Sequence, residues 1–180
     1  TIRALKMHGG GPKVVAGRPL PAALATENVE LLRAGLPNLV RNIEIARLFG
    51  IPVVVAVNKF AGDTDREVAL VCEAALAAGA HGAVASSHFV DGGEGSLELA
   101  DAVINACEAP SAFQPLYDLD LSIEEKIEIL ATQVYGADGV EYDALARRQI
   151  AQYEEQGFGG LPICMAKTHL SISHDPAMKG

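Results

Sequence analysis

The hydrophobic pattern changes period several times along the chain. Residues 53–57, Val-Val-Val-Ala-Val, are apolar at every position, as in a strand covered on both faces of a parallel sheet. That run predicts a strand over Ile51–Val57. Shorter apolar runs predict strands at Ile2–Met7, Gly82–Ser86 and Ile163–Lys167. Helical spacing fills the intervals. One helix is expected over Asn28–Ala34. A second should open with Pro37 in its first turn, present Leu39, Ile43 and Ala46 on one face, and stop at Gly50. Thr64-Asp-Arg-Glu67 reads as a capping box opening a helix to about Ala78, with Gly79 as its stop. Further helices are expected over Ser96–Glu108, from the capping box Ser122-Ile-Glu-Glu125 to about Tyr135, and from Asp143 to just before Gly157.

Strand and helix in alternation define an α/β chain, a mostly parallel sheet with crossover helices. Residues 1–109 carry the sheet segment. Residues 110–180, beyond a boundary at Pro110–Pro115, read as a helical extension with a further strand, fit for a small appended subdomain. In such sheets ligands collect beyond the carboxyl ends of the strands. Four loops qualify: His8–Lys13, Asn58–Asp65, His88–Ser96 and Thr168–Pro176.

Composition narrows the partners. The 180 residues are 49% apolar and 21% charged, an ordinary globular balance. A net charge of −9 disfavours nucleic acid, which needs a basic footprint. No apolar run approaches the ~20 residues of a membrane span, and no basic-then-apolar leader opens the chain. Cys72, Cys107 and Cys164 are odd in number and form no CxxC pair, so they read as three reduced, buried thiols of a cytoplasmic protein. A first strand starting at residue 2 points to a piece of something longer.

The candidate chemistry sits in the loops. His8-Gly-Gly-Gly-Pro-Lys13 is not a P-loop, because Val14 follows the lysine. It is either a plain glycine loop or a place where backbone approaches a ligand. Asn58-Lys59 after an apolar strand is similar to the base-reading Asn-Lys-x-Asp of GTP-binding domains, but Ala61 stands where the Asp belongs. Guanine's two donors would then lose their partner, which leaves adenine or a structural Asn. Phe60 and Phe89 occupy equivalent places after neighbouring strands, two of only nine aromatics. They are either loop anchors or two faces for one flat heterocycle. Gly92-Gly93-Glu94-Gly95-Ser96 enters a helix, where free N–H groups form an anion site in principle. His169 and His174 match no strong zinc spacing, and no metal site is expected. Lys167, Thr168, Ser171 and Ser173 are alternative oxyanion ligands.

Five stretches, "TIRALKMHGG", "NLVRNIEIARLFGIPVVVAVNKFAGDTDRE", "GGEGSLELA", "YGADGVEY" and "QYEEQGFGGLPICMAKTHLSISHDP", together resemble the formate–tetrahydrofolate ligases, in order and with natural spacing. The resemblance implies a cytosolic one-carbon enzyme on a P-loop-type α/β core. In that family MgATP activates formate as formyl phosphate, and the amine of tetrahydrofolate attacks it to give 10-formyltetrahydrofolate. Family members are commonly homotetramers helped by monovalent cations. The family chain is several times longer, so this segment is expected to be an internal fragment, with the phosphate loop upstream and the catalytic residues elsewhere. Carried over by motif, Phe60 of "NKFAGDT" looks like one face of the folate clamp. Phe89 stands where the opposite face is typically a Trp, just before Gly92-Gly93. Asn58 and Lys59 are left for the nucleotide. Two rivals stay open at this level: a non-catalytic folate- or nucleotide-binding or assembly module, and a GTPase-like domain.

Overall fold

The computed structural model describes residues 1–15 and 17–165. These fall into two compact units, residues 1–112 and the described part of residues 113–169. Residues 166–180, which include Lys167, Thr168, His169, Ser171, Ser173 and His174, lie outside the described residues.

The first unit begins with α1 (Ile2–His8), the short α2 (Ala22–Ala25) and the long α3 (Val29–Arg47). Then come β1 (Val54–Asn58), α4 (Asp65–Ala77), β2 (Gly82–Ser86), α5 (His88–Asp91), a 3₁₀ turn at Glu94–Ser96 and α6 (Leu97–Glu108). β1 and β2 pair in parallel, with Val54 opposite Gly82 and Asn58 opposite Ser86. This is an α/β fold, rich in helix, with a small parallel sheet whose strands are joined through α4.

Three sequence expectations fail here. Ile2–Met7 is helix, not strand, and the reading of a strand cut at its start falls with it. Six residues are too few to separate the two periods. Burial decides for the helix: Ile2, Leu5 and Lys6 all turn inward. Asn28–Ala34 and Pro37–Phe49 are one helix with Pro37 inside it. Leu32, Gly35, Asn38 and Ile43, from both halves, are buried along it, so packing outweighs the hydrogen bond that proline cannot make. β1 is also less enclosed than its sequence implies. Val57 is buried, but Ala56 and Asn58 are exposed. Among the described residues its one strand partner is β2.

The core of this unit joins Ile2 and Leu5 of α1, Leu32 of α3, Val57 of β1, and Val68, Leu70 and Val71 of α4. Ile43, Ala75 and Ala80 form a second cluster. Two of the three glycines after α1, Gly9 and Gly11, serve this packing. A Cβ at Gly9 would lie 1.9 Å from the Leu31 carbonyl oxygen, and one at Gly11 would lie 2.7 Å from that of Lys6. The His8–Lys13 loop therefore follows a helix and uses Gly9 and Gly11 for close contact within the fold, while Gly10 stands open at φ 100°.

A buried ion pair ties α1 to α4. Lys6 Nζ lies 2.6 Å from Glu67 Oε1, with both side chains almost fully enclosed. Lys6 also donates to the Thr26 carbonyl at 2.8 Å, and Glu67 accepts from the backbone N–H of Asn28 at 2.8 Å. Glu67 is at the same time the third helical residue of the Thr64 capping box, which forms as expected. Gly50 and Gly79 follow their helices at φ 68° and 87°, the left-handed geometry that favours glycine at a helix stop.

The second unit holds α7 (Ile123–Ile129), a π turn at Leu130–Val134 and α8 (Ala144–Glu155). Ser122 forms its capping box, and Asp143 caps α8 through a 2.7 Å bond from Ala146 N–H. α7 runs without a break into the π turn, so helical backbone ends at Tyr135 as expected, though its last turn is π; there the Thr132 hydroxyl donates to the Glu128 carbonyl at 2.9 Å. Lys126 is fully buried and donates to the carbonyls of Gly159 and Leu161. Ile163–Met165 is not strand in this fold. Its backbone bonds instead to the Tyr117 hydroxyl, Ile163 N–H donating at 2.8 Å. The cysteines are free, but none is fully buried as expected: Cys72 is half-buried, and Cys107 and Cys164 are exposed. Burial, reinforced by Glu73, pushes the Cys72 thiol up.

Candidate functional site at the strand ends

The carboxyl ends of β1 and β2 lie side by side, because the strands are parallel and in register. Each runs into a loop bearing one of the paired aromatics. After β1, Lys59 N–H donates to the Ser86 carbonyl at 2.9 Å, so the ladder continues one residue past the strand. Phe60 then starts a tight turn. Its N–H donates to Asp63 Oδ2 at 2.9 Å, and Asp63 N–H returns a bond of 2.9 Å to the Phe60 carbonyl. Asp63 is itself buried. The turn delivers Thr64 into its capping box, and α4 begins.

After β2, Ser86 is buried. Its Oγ lies 3.0 Å from His88 Nδ1 and 3.4 Å from the Gly95 carbonyl. Ser87 N–H also donates to the Gly95 carbonyl, at 3.0 Å. The segment between them, expected to be a loop, contains the four-residue α5, which carries Phe89 outward at 79% exposure.

These two loops bring the rings of Phe60 and Phe89 to 6.2 Å between centroids, tilted by 43°. That is a direct aromatic contact. A flat ring held between them needs two contact distances of ~3.5–4 Å each. The rings must therefore separate by about 1–2 Å and become more nearly parallel to admit one. Phe60 is half-buried, so it is neither a full core anchor nor a free platform. The Arg3 guanidinium covers one of its faces at 3.8 Å from the centroid.

A cleft of about 470 Å³ opens beside the pair, lined by Lys59, Phe60, Ala61, Ala85, Ser87, Val90, Asp91, Glu94, Gly95 and Glu98. Its charge is mainly negative. The one cation on its wall, Lys59, is paired with Asp65 at 2.6 Å. The hydrogen bond from Lys59, with its charge behind it, holds the Asp65 carboxyl below the usual range. Asp91, Glu94 and Glu98 face a phosphate with repulsion. The cleft suits a neutral or donor-bearing heterocycle better than a polyphosphate, and the glycine loop after β2 brings carboxylates where an anion site was expected. Ala61 on this wall offers no carboxylate for guanine. Asn58 is exposed at the end of β1, in register with Ser86.

Gly92 and Gly93 stand open, with no atom within 4 Å of an added Cβ. Gly95 is the crowded one: a Cβ there would lie 2.7 Å from both the Ser87 carbonyl carbon and its Oγ. Sequence reasoning placed Gly95 in a candidate anion loop but missed its packing against Ser87, and it missed Arg3 altogether. Nothing local in the chain announces either, since both act on residues brought to them by the fold. Among the described residues, no three His, Cys, Asp or Glu side chains converge as metal ligands, and no helix is long and apolar enough to cross a membrane.

The site is thus an aromatic pair at the strand ends of a parallel α/β sheet, with Phe60 of that pair on the wall of an acidic cleft. Comparison with known proteins gives the family. The profile of the Formate–tetrahydrofolate ligase family matches residues 1–180. Over 180 residues the chain is 59% identical to the formate–tetrahydrofolate ligase of Desulforamulus reducens, covering all of this chain and 32% of the relative. It is 56% identical to that of Roseiflexus castenholzii with the same coverage. It is also 56% identical to the cytoplasmic C-1-tetrahydrofolate synthase of Homo sapiens, covering 19% of that protein. The chain belongs to the formate–tetrahydrofolate ligase family, and it spans about a third of the length of these bacterial relatives.

Proposed function

We propose that this chain is the folate-binding edge of an ATP-dependent ligase that joins formate to tetrahydrofolate through formyl phosphate, giving 10-formyltetrahydrofolate. The observation that carries the reading is the Phe60–Phe89 contact at the ends of two registered parallel strands. Phe60 and Phe89 stack on the two faces of the pterin, and the open Gly92-Gly93 backbone lies along its edge. Asn58 and Lys59 serve the adenine edge of ATP, consistent with a cleft whose carboxylates disfavour phosphates. Mg²⁺ enters with ATP as substrate, and a monovalent cation assists. The reaction is phosphoryl transfer followed by acyl transfer, both of which depend on positioning and charge neutralisation. No G-x-x-x-x-G-K-[ST] stretch occurs in these 180 residues, so the phosphates are held by other parts of the enzyme and the isolated chain is inactive. The working enzyme is a cytoplasmic homo-oligomer.

The test is kinetic. In the complete ligase that contains this chain, Phe60→Ala raises the KM for tetrahydrofolate several-fold or more and leaves that for ATP nearly still. Stacking beyond burial is worth ~0.5–1.5 kcal/mol. Phe89→Trp, with a larger face, tightens folate binding. Unchanged folate kinetics in a stable Phe60→Ala enzyme end the clamp reading. Robust turnover of formate and MgATP by the isolated chain ends the division of labour.

A further inference from the structure

We infer that Arg3 is a positioning residue for the stacking face of Phe60, an inference that rests on the folate reading above. The guanidinium carbon lies 3.8 Å from the centre of the Phe60 ring, well inside the range of a cation–π contact. Arg3 is half-buried, so part of its hydration is already lost. The helix that carries it cannot drift. One turn on, Lys6 is locked to Glu67, and Ile2 and Leu5 are in the core. The backbone of α1 also touches α3 closely, since a Cβ at Gly35 would lie 1.8 Å from the Leu5 carbonyl oxygen.

Phe60 is thus held twice: by Asp63 at its backbone and by Arg3 on one ring face. Phe89 has no comparable support. It is 79% exposed on a four-residue helix without a side-chain cap. The asymmetry assigns roles. Phe60 is the fixed jaw, and Phe89 supplies the 1–2 Å of separation that a ring needs between two contact distances of ~3.5–4 Å. Arg3 does a second thing. A cation over one face draws ring density toward itself, which makes the opposite face a better partner for an electron-rich heterocycle such as a reduced pterin.

The experiment uses the complete ligase, with Arg3→Ala, Arg3→Lys, Phe60→Ala and the double variant Arg3→Ala/Phe60→Ala. Arg3→Ala is expected to raise the KM for tetrahydrofolate about two- to five-fold, the size of an exposed cation–π contact, with kcat and the ATP KM unchanged. Arg3→Lys, which keeps the charge but not the flat plane, should recover part of that loss. In the Phe60→Ala background, Arg3→Ala should do nothing more, because the ring it positions is gone. The inference is overturned if Arg3→Ala leaves folate KM unchanged while Phe60→Ala raises it. It is equally overturned if the two effects simply add, or if both substrates' KM values rise together with a fall in Tm. If Phe60→Ala itself leaves folate KM unchanged, the folate reading falls first and takes this inference with it.

Discussion

The loops after β1 and β2 occupy equivalent places on the sheet, yet they are built differently. The first is bonded at almost every step: Lys59 to Ser86 and Asp65, Phe60 to Asp63 and Arg3, Thr64 to Glu67. Behind it the Lys6–Glu67 pair joins α1 to the start of α4. The second hangs from Ser86, Ser87 and Gly95 at its two ends, with Phe89, Val90 and Asp91 exposed between them. A binding edge made of one rigid and one yielding loop combines a defined surface with room for entry. Local stability follows the count of buried contacts, so the two loops should differ in how easily they open.

The comparison breaks most severely at the buried pair. Lys6→Met leaves Glu67 enclosed without its cation, and losing one partner of a buried pair costs about 3–5 kcal/mol. Urea unfolding of the chain measures it. Adding Glu67→Gln should restore part of the loss. A Lys6→Met chain as stable as the parent would remove the foundation from under the first loop.

Acid acts on the same pair. Burial alone pushes the Glu67 carboxyl up, but the Lys6 hydrogen bond, the Asn28 and Thr64 backbone N–H groups and the Lys6 charge outweigh it and hold it below its ordinary 4.5. A carboxyl lowered in the folded state adds stability that is complete above the unfolded value. That stability is lost as pH falls through the folded one. Unfolding midpoints should therefore decline below about pH 4.5, and less steeply in Lys6→Met.

The second loop is tested by two glycines. Gly95→Ala drives a Cβ to 2.7 Å from the Ser87 backbone and should cost about 1–3 kcal/mol, as overpacking does. Gly93→Ala, with open space around it and φ −61°, should stay within about 0.5 kcal/mol. Equal effects in thermal melts would mean that this loop is not anchored at Gly95. The smallest change is Asp65→Ala. Its carboxylate is almost fully exposed, and exposed pairs add little, so the unfolding midpoint should not move.

What the chain determines by itself is what neighbours in sequence can settle. The capping boxes at Thr64 and Ser122, the Asp143 cap, the glycine stops and the two strands of the sheet were all legible, because each needs residues only a few positions apart. The aromatic pair was legible too, since equivalent places on adjacent parallel strands fall side by side. Tertiary structure decided the rest. Ile2–Met7 is ambiguous as a string and becomes helix when α3 and α4 offer it a surface. Pro37 breaks an isolated helix but stays inside one that is buried along both halves. Lys6 with Glu67, Arg3 with Phe60 and Gly95 against Ser87 are contacts between residues that become neighbours only after folding. Their energies come from desolvation and close approach, which no local pattern of the sequence encodes.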